Sequence, residues 1–165
     1  MSKPAVVIVM GVSGSGKSFL GSRLAAALGW RFLEGDDFHP PANIAKMSAG
    51  IPLDDADRAP FLAAIRAEIE ASLSRGEGTV IACSALKESY RRTLVVDPSR
   101  VKIVHLSGSP ALIGERLARR EGHFMKASML PSQLAALEAP RDALVLDAAS
   151  DPAAMIARVR AAWSI

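Results

Sequence analysis

The chain is constrained most by eight residues, GVSGSGKS at positions 11–18, which follow the apolar run AVVIVM at 5–10. They fit the phosphate-loop pattern of glycine, four residues, glycine, lysine and then serine or threonine. The apolar run predicts a buried strand, and Leu20, Leu24 and Leu28 predict one face of the helix that follows. A plain glycine-rich turn is the alternative, but it would not require lysine and serine at these two places. The octet therefore predicts a phosphate-binding loop between a strand and a helix.

Each part of this loop has a physical role. Glycines let the backbone wrap closely, so that successive N–H groups point at phosphate oxygens at the positive end of the helix. The ammonium group of Lys17 would reach the β- and γ-phosphates of ATP, and the hydroxyl of Ser18 would ligate Mg²⁺. The predicted nucleotide-binding residues of the loop are Gly11, Val12, Ser13, Gly14, Ser15, Gly16, Lys17 and Ser18.

Apolar runs alternate with helical periodicities along the rest of the chain. After the first strand, further strands are predicted at 31–34, 79–83, 101–106 and 143–147. Helices are predicted at about 56–74 and 109–120 and at the end of the chain. Such alternation predicts an α/β fold, a three-layer αβα sandwich around a five-stranded parallel sheet, formed by a single domain of residues 1–165.

Charge favours a ligand that carries phosphate. The net charge is +3, and the bases are concentrated in one part of the chain: residues 84–126 hold nine bases and four acids, whereas 34–70 hold eight acids and three bases. A basic segment suits phosphate-bearing ligands. Nucleic acid is disfavoured, because one Tyr, two Trp and five Phe offer little for bases to stack on.

The sequence gives no sign of a membrane or secretory protein. Residues 5–10 are too few to span a bilayer and lack the arrangement of a secretory signal. The single cysteine, Cys83, agrees with a reducing compartment, so we expect a cytoplasmic protein with no membrane partner. We expect Cys83 and His105 to pack in or near the core.

A polar stretch, GDDFHPPANIAKM at 35–47, follows the second predicted strand and so lies at the ligand edge of the sheet. Asp36 could accept the proton of an acceptor hydroxyl, orient its oxygen or help to hold Mg²⁺. The alternative is a helix start, capped by Asp36 or Asp37, with prolines in the first turn; we favour that alternative only for Asp37. Three further side chains could hydrogen-bond the hydroxyls of a polyol: His39, Asn43 and Lys46.

Two basic segments could bind anions. CSALKESYRR at 83–92 follows the third strand, and a helix predicted to begin near Ala85, capped by Ser84, would place Lys87 and Arg91 on one face. They could bind an anionic acceptor, or they could be surface charges.

The second basic segment lies at the end of the helix predicted at 109–120. Arg116 and Arg120 could close over the phosphates as part of a lid at about 116–135. The alternative is a solvated helix end whose charges complement the helix dipole.

These features together indicate a kinase of a small, anionic, hydroxyl-bearing molecule. The Asn-Lys-x-Asp motif of guanine-specific switches does not occur in the sequence, and 165 residues are too few for a motor ATPase. Phosphoryl transfer needs a grip on the acceptor, cations beside the transferring group and exclusion of water, and candidate residues for each are present.

Several motifs in order resemble the gluconokinase family, small ATP-dependent enzymes that phosphorylate D-gluconate on its 6-hydroxyl. They are the phosphate loop, EGDDFHPPANIAKMSAGIPLDDADRAPFL, CSALKESYRR, RLARREGHFM and SQLAALEAP. The resemblance covers nearly the whole chain and implies a nucleoside-monophosphate-kinase-like fold, ATP and Mg²⁺ as cofactors, gluconate as substrate and frequent homodimers.

The resemblance also implies roles for individual residues. Lys17, Asp36 and Arg120 would be catalytic, and Arg116 and Arg120 would add to the ATP site. Ser18 and Asp36 would hold the metal, with water as an alternative to Asp36, because the third strand ends in Cys83 and Ser84 and not in an acid. The implied substrate-binding residues are Asp36, His39, Lys46, Arg58, Lys87, Arg91, His123 and Gln133.

Two departures and two alternatives accompany the resemblance. Phe61 stands where the family usually has Trp, a change that we expect to matter little on a buried helix face. Met129 and Pro131 vary the leucine-rich lid segment, so lid motion could differ. The alternative functions are a kinase of shikimate, a nucleoside or another sugar acid, and a nucleotide-binding module without catalysis.

Overall fold

The computed structural model describes residues 3–119 and 127–165. Its elements alternate along the chain as the sequence predicts. The strands are β1 (Val6–Met10), β2 (Arg31–Glu34), β3 (Thr79–Ala82), β4 (Val101–Ser107) and β5 (Leu144–Asp147). The helices are α1 (Lys17–Leu28), α2 (Pro41–Ser48), α3 (Asp55–Arg75), α4 (Glu88–Leu94), α5 (Pro110–Arg119), α6 (Leu130–Ala136) and α7 (Pro152–Trp163), with 3-10 turns at Gly35–Phe38 and Ala127–Met129.

All five strands form one parallel sheet in the order β2-β3-β1-β4-β5. The central strand β1 is fully buried along its length, because the protein covers both faces of the sheet at this strand. This burial explains its unbroken run of Val, Ile and Met, because a strand between two helical layers has no solvent-facing side. The predicted α/β fold with a five-stranded parallel sheet is confirmed.

Two hydrophobic cores flank the sheet and make the sandwich three-layered. On one face Phe61, Ile65 and Ile69 of α3 pack with Tyr90 and Leu94 of α4 against alternate residues of the central strands. The opposite face is covered by the apolar residues of α1 and α7, which include Leu20, Leu24, Met155 and Val159. Alternate residues of each strand point into the two cores, as the pleat of a strand requires.

A smaller cluster packs α5 and α6 against the connections at the carboxyl ends of the strands. It contains Val12 of the phosphate loop, Leu86, Ile113, Leu117 and Leu130. This cluster fixes where α5 and α6 lie relative to the phosphate loop. Most of α6 and the last turn of α5 fall in the predicted lid at about 116–135, whose extent, like the single-domain boundary 1–165, stays a prediction.

The predicted helix start near Ala85 is wrong. Ala85 has a φ of 43°, in the left-handed region, and α4 begins only at Glu88, with Lys87 as its N-cap residue. Residues 83–87 instead form an irregular connection between β3 and α4. As a result, Lys87 and Arg91 do not share a helix face, and Ser84 caps no helix.

Within residues 3–119 and 127–165, no helix is both long enough and apolar enough to cross a membrane.

Candidate active site

The phosphate loop connects β1 to α1 at the centre of the sheet. Gly16 caps α1 with a φ of 100°, a conformation that an L side chain rarely adopts. This backbone places Lys17 at the first position of the helix, and the Lys17 ammonium donates a hydrogen bond to the carbonyl of Val12 across the loop (3.1 Å). The loop therefore has the wrapped form that a phosphate group needs, with the lysine at its rim.

A cavity of about 400 Å³ opens in front of this loop, at the carboxyl ends of β1, β2 and β3. It brings together most of the predicted site residues from six separate segments of the chain. The predicted residues that line it are Ser13, Gly14, Gly16, Lys17, Ser18, Asp36, His39, Arg58, Lys87, Arg116 and Gln133.

Glu34, which the sequence analysis did not select, lies against the predicted metal ligand Ser18. The Ser18 hydroxyl donates a hydrogen bond to Glu34 Oε2, and Glu34 Oε1 accepts from the backbone N–H of Asp36 (3.4 Å). The signal was available, because Glu34 is the last residue of β2 and therefore lies at the ligand edge. Gly35 follows, where a Cβ atom would lie 2.2 Å from the carbonyl oxygen of Ala82, so only glycine lets the chain turn here and present Asp36 to the cavity.

These oxygen atoms suit a magnesium ion that is held mainly by a nucleotide. Mg²⁺ usually takes one or two protein carboxylates together with phosphate oxygens and water. In the described part of the chain, no group of three or more His, Cys, Asp or Glu residues could hold a metal on its own. A hydroxyl from Ser18 and a carboxylate from Glu34 fit a magnesium site that phosphate oxygens and water complete. Asp36 lines the same cavity.

His39 is held in one orientation by two neighbours. Its ring stacks on the buried ring of Phe61, with centroids 3.8 Å apart and planes 8° from parallel. Its Nδ1 atom lies 3.3 Å from the side-chain nitrogen of Asn43. Burial lowers the pKa of His39; the carboxylate of Asp36 partly opposes that shift, and the Arg58 guanidinium adds to it. Phe61 is buried as expected, and its contact with a site residue is new.

Arg58 presents a guanidinium group to the cavity from the first turns of α3. Its Nε atom is buried and has no hydrogen-bond partner among the residues that the structure describes. The guanidinium lies 5.3 Å from the centre of the Tyr90 ring, which supports it by a cation–π contact. A buried donor without a partner costs free energy, and an anionic ligand would relieve that cost.

Lys87 belongs to a cluster on the outer wall of the cavity. Its ammonium lies 3.1 Å from Asp55 Oδ1, which also accepts a hydrogen bond from the Tyr90 hydroxyl (2.5 Å). The hydrogen bonds from Tyr90 and then Lys87 lower the pKa of Asp55, while that carboxylate raises the pKa of Lys87. Asp55 therefore stays ionised and keeps Lys87 charged at the cavity wall.

Two of the predicted substrate-binding residues do not line the described cavity. Lys46 instead forms an ion pair with Asp57 (2.8 Å) beside the capping box of α3. Arg91 is buried, and its guanidinium donates to the backbone carbonyls of Ala85 (2.7 Å), Leu86 (2.9 Å) and Glu138 (2.7 Å). It therefore holds the connection after β3 in place, and burial lowers its pKa.

Arg116 joins the phosphate loop to the far side of the sheet. Its guanidinium donates to the carbonyl of Ser15 (3.0 Å) and to that of Ala148, in the connection after β5 (2.8 Å). Beside it lies a second cavity of about 350 Å³, lined largely by apolar groups from Phe19, Leu106, Pro152 and other residues. A nucleotide whose phosphates occupy the loop could extend its base into this second cavity.

Gln133 connects α6 to the phosphate loop, since its side-chain oxygen accepts a hydrogen bond from the backbone N–H of Ser13 (2.7 Å). It is buried and lines the cavity. The predicted residues Arg120 and His123 lie outside the described residues.

Comparisons with known proteins show what this chain is similar to. Residues 6–148 match the family model described as "AAA domain". A gluconokinase from Gluconobacter oxydans is 54% identical over 140 residues, which cover 85% of this chain and 79% of that protein. The structure resembles that of a gluconokinase from Sinorhizobium meliloti, with a TM-score of 0.85 and 46% identity over 99% of this chain and 94% of that one. It also resembles an unliganded sugar kinase from Janibacter, with a TM-score of 0.90 and 44% identity over 98% and 94% of the two chains.

Proposed function

Because this chain belongs to the gluconokinase family, we propose that it transfers the γ-phosphoryl group of ATP to the 6-hydroxyl of D-gluconate. The observation that carries the proposal is a single cavity that joins the phosphate loop to Asp36, His39 and Arg58. Those groups complement the two ends of a sugar acid, since a guanidinium pairs with a carboxylate while Asp36 and His39 suit hydroxyls.

The acceptor would lie with its carboxylate near Arg58 and its reacting hydroxyl near Asp36. Arg58 supports this orientation, because it lines the cavity and its guanidinium could pair with the carboxylate of the substrate. Lys87, held charged by Asp55, adds positive charge at the same wall. Arg91 has no place in this arrangement, since its donors already bind backbone carbonyls.

In the reaction, the hydroxyl oxygen of gluconate forms a bond to the γ-phosphorus as the bond from that phosphorus to the bridging oxygen of ADP breaks. ADP leaves with the electron pair of that bond, and Asp36 accepts the hydroxyl proton. Catalysis comes mainly from positioning and charge neutralisation by Lys17 and the loop N–H groups, because a loose transition state leaves a base little to do.

Magnesium, when bound, would neutralise charge on the β- and γ-phosphates. We propose Ser18 and Glu34 as the residues that hold it, with Asp36 close by in the same cavity. The base of ATP would enter the second cavity beside Arg116. A cytoplasmic location, which the sequence predicts, and a homodimer, which the resemblance implies, are further parts of the proposal.

The test is ADP release from MgATP by the purified protein with gluconate, shikimate, other sugar acids and several nucleosides compared side by side. We expect rapid release with gluconate alone and a product that carries phosphate on the 6-oxygen. Release with a different acceptor would replace the proposed substrate. Release with none of them would point to a nucleotide-binding module.

A further inference from the structure

Asn43 does not line the cavity, yet its side chain contacts two of the segments that form it. It lies on α2 and is only 3% exposed. Its side-chain nitrogen, Nδ2, is 2.8 Å from the backbone oxygen of Asp57 in α3 and 3.3 Å from Nδ1 of His39. The sequence suggests Asn43 as a partner of the acceptor hydroxyls, but its side-chain nitrogen contacts protein atoms instead.

The two contacts determine where the protons are. A backbone carbonyl can only accept, so the atom of Asn43 that faces Asp57 must be the NH₂ group and not the amide oxygen. That group has two hydrogens, one for each contact. Nδ1 of His39 therefore accepts a hydrogen bond and carries no proton, which leaves Nε2 as the protonated nitrogen of the neutral ring.

The surroundings of His39 favour the same state. A second proton would place an N–H at Nδ1 directly against the NH₂ group of Asn43. Among the residues that the structure describes, Asp36 and Arg58 are charged groups that act on the ring, and burial outweighs the carboxylate, so that the pKa of His39 lies below its ordinary value of 6.5. Stacking on Phe61 fixes the plane in which Nε2 lies.

We propose that Asn43 is a positioning residue, which holds His39 neutral and protonated on Nε2 so that the ring donates a hydrogen bond to a hydroxyl oxygen of the acceptor. The proposal rests on the proposed function, because it requires a hydroxyl-bearing acceptor in this cavity. Asp36 can only accept when ionised, whereas His39 in this state donates. Asp36 therefore matches the hydrogen of a hydroxyl group, and His39 matches a lone pair of a hydroxyl oxygen. A molecule that presents only lone pairs to Asp36 or only hydrogens to His39 would bind less well.

The first measurement reads the tautomer directly in the ligand-free protein. The full chain is labelled with ¹⁵N, and two-bond ¹H–¹⁵N spectra are recorded while the pH is lowered through 6.5, the ordinary pKa of the group. Three histidines are present, and the spectrum of a His39→Gln variant identifies the signals of His39. We expect a neutral ring with its proton on Nε2 that stays neutral below pH 6.5.

The second measurement changes the partner. In Asn43→Asp a carboxylate replaces the donor, so Nδ1 should gain a proton and the pKa of His39 should rise. With one hydrogen bond to the acceptor lost or misdirected, the KM for gluconate should rise about tenfold, while the KM for ATP should stay within about twofold. Ala42→Asp is the matched control, because it adds the same charge on an exposed position of the same helix.

A wild-type ring protonated on Nδ1, or on both nitrogens at pH 7, would overturn the proposal. So would a folded Asn43→Asp variant with an unchanged KM for gluconate. If that variant does not fold, the tautomer of His39 in the wild-type protein tests the proposal by itself. The tautomer of His39 is measured without any acceptor, whereas the proposed substrate is tested by the separate panel of acceptors. A failure of the proposed substrate can therefore be distinguished from a failure of the proposed role of Asn43.

Discussion

Eight consecutive residues, 11–18, provide the phosphate side of the cavity, whereas its acceptor side takes side chains from three separate segments. The proposed phosphate side uses backbone N–H groups, the N-terminus of α1 and one lysine. The proposed acceptor side uses Asp36, His39, Arg58 and Lys87, and the last three are supported by side chains from elsewhere in the chain. Local sequence is enough for the first side, and tertiary contacts are required for the second.

The difference lies in what holds each functional group. Gly16 sets the loop through its own φ of 100°, and Lys17 follows it directly. His39, in contrast, depends on Phe61 and Asn43, and Lys87 depends on Asp55. A change beside the phosphate loop should therefore act directly on turnover, whereas a change on the acceptor side should act on substrate binding or through a supporting residue.

The largest effect is expected on the phosphate side. Lys17→Ala removes the cation that we propose contacts the transferring group, so kcat should fall on the order of 10³-fold, as for the loss of one preorganised transition-state donor. Steady-state ADP release with gluconate measures it. Arg23→Ala, which removes an exposed cation from the same helix, is the control and should keep wild-type turnover. Full activity in Lys17→Ala would contradict the phosphate-loop assignment.

Asp36→Asn tests the point where the two sides meet. Loss of the proton acceptor should lower kcat by about 10²-fold, the low end for acid–base groups, since the transition state demands little from a base. Binding of ATP, measured by calorimetry, should be nearly unchanged. The neighbouring and exposed Asp37→Asn serves as the control. Normal turnover in Asp36→Asn would exclude Asp36 from the mechanism.

Glu34→Gln sharpens the metal assignment. Removal of the negative charge beside Ser18 should raise the Mg²⁺ concentration for half-maximal activity by roughly tenfold, the lower range for residues that support a metal site. The measurement is a magnesium titration at saturating ATP and gluconate. An unchanged titration would assign the metal contact to Asp36 or to water instead.

On the acceptor side, Arg58→Ala should raise the KM for gluconate by roughly 10- to 100-fold, because hydrogen bonds to charged groups contribute about 1.5–3 kcal/mol. The KM for ATP should change little. Arg66→Ala, further along α3 and paired with Glu70 in solvent, is the matched control. Equal increases in the KM for gluconate and in the KM for ATP would show that Arg58 does not act specifically on the acceptor side.

The smallest effect on activity is expected for Arg91→Met, although its effect on stability should be large. Loss of its hydrogen bonds to three backbone carbonyls should lower the free energy of unfolding by about 3 kcal/mol. Urea unfolding measures this loss, with the adjacent and exposed Arg92→Met as the control. The folded enzyme should keep its KM for gluconate; a marked rise would restore the predicted substrate-binding role of Arg91.

Much of the fold could be predicted because its signals are local. The bounds of β2 agree with the predicted 31–34, and those of α3 lie within one residue of the predicted 56–74. Buried parallel strands and long amphipathic helices leave strong patterns in neighbouring residues. The resemblance to the gluconokinase family is confirmed by the comparisons.

The points where the structure adds to or differs from the sequence predictions all concern residues whose contacts come from distant parts of the chain. Spacing placed Lys87 and Arg91 on one helix face, but the left-handed conformation of Ala85 delays the helix and the carbonyl of Glu138 binds Arg91. Glu34 was passed over in favour of Asp36, because nothing in the sequence shows that its carboxylate reaches Ser18. Phe61 was expected to matter little, and only the fold shows that it stacks on His39.

The sequence by itself determined the alternation of strands and helices, the phosphate loop and the family, because each rests on the order and spacing of neighbouring residues. Tertiary structure alone decided which polar side chains reach the cavity and which are used to hold it together. The physical reason is that a long polar side chain binds whatever donor or acceptor packing brings within about 3 Å. Asn43 beside His39, and Arg91 beside three carbonyls, are both products of that packing.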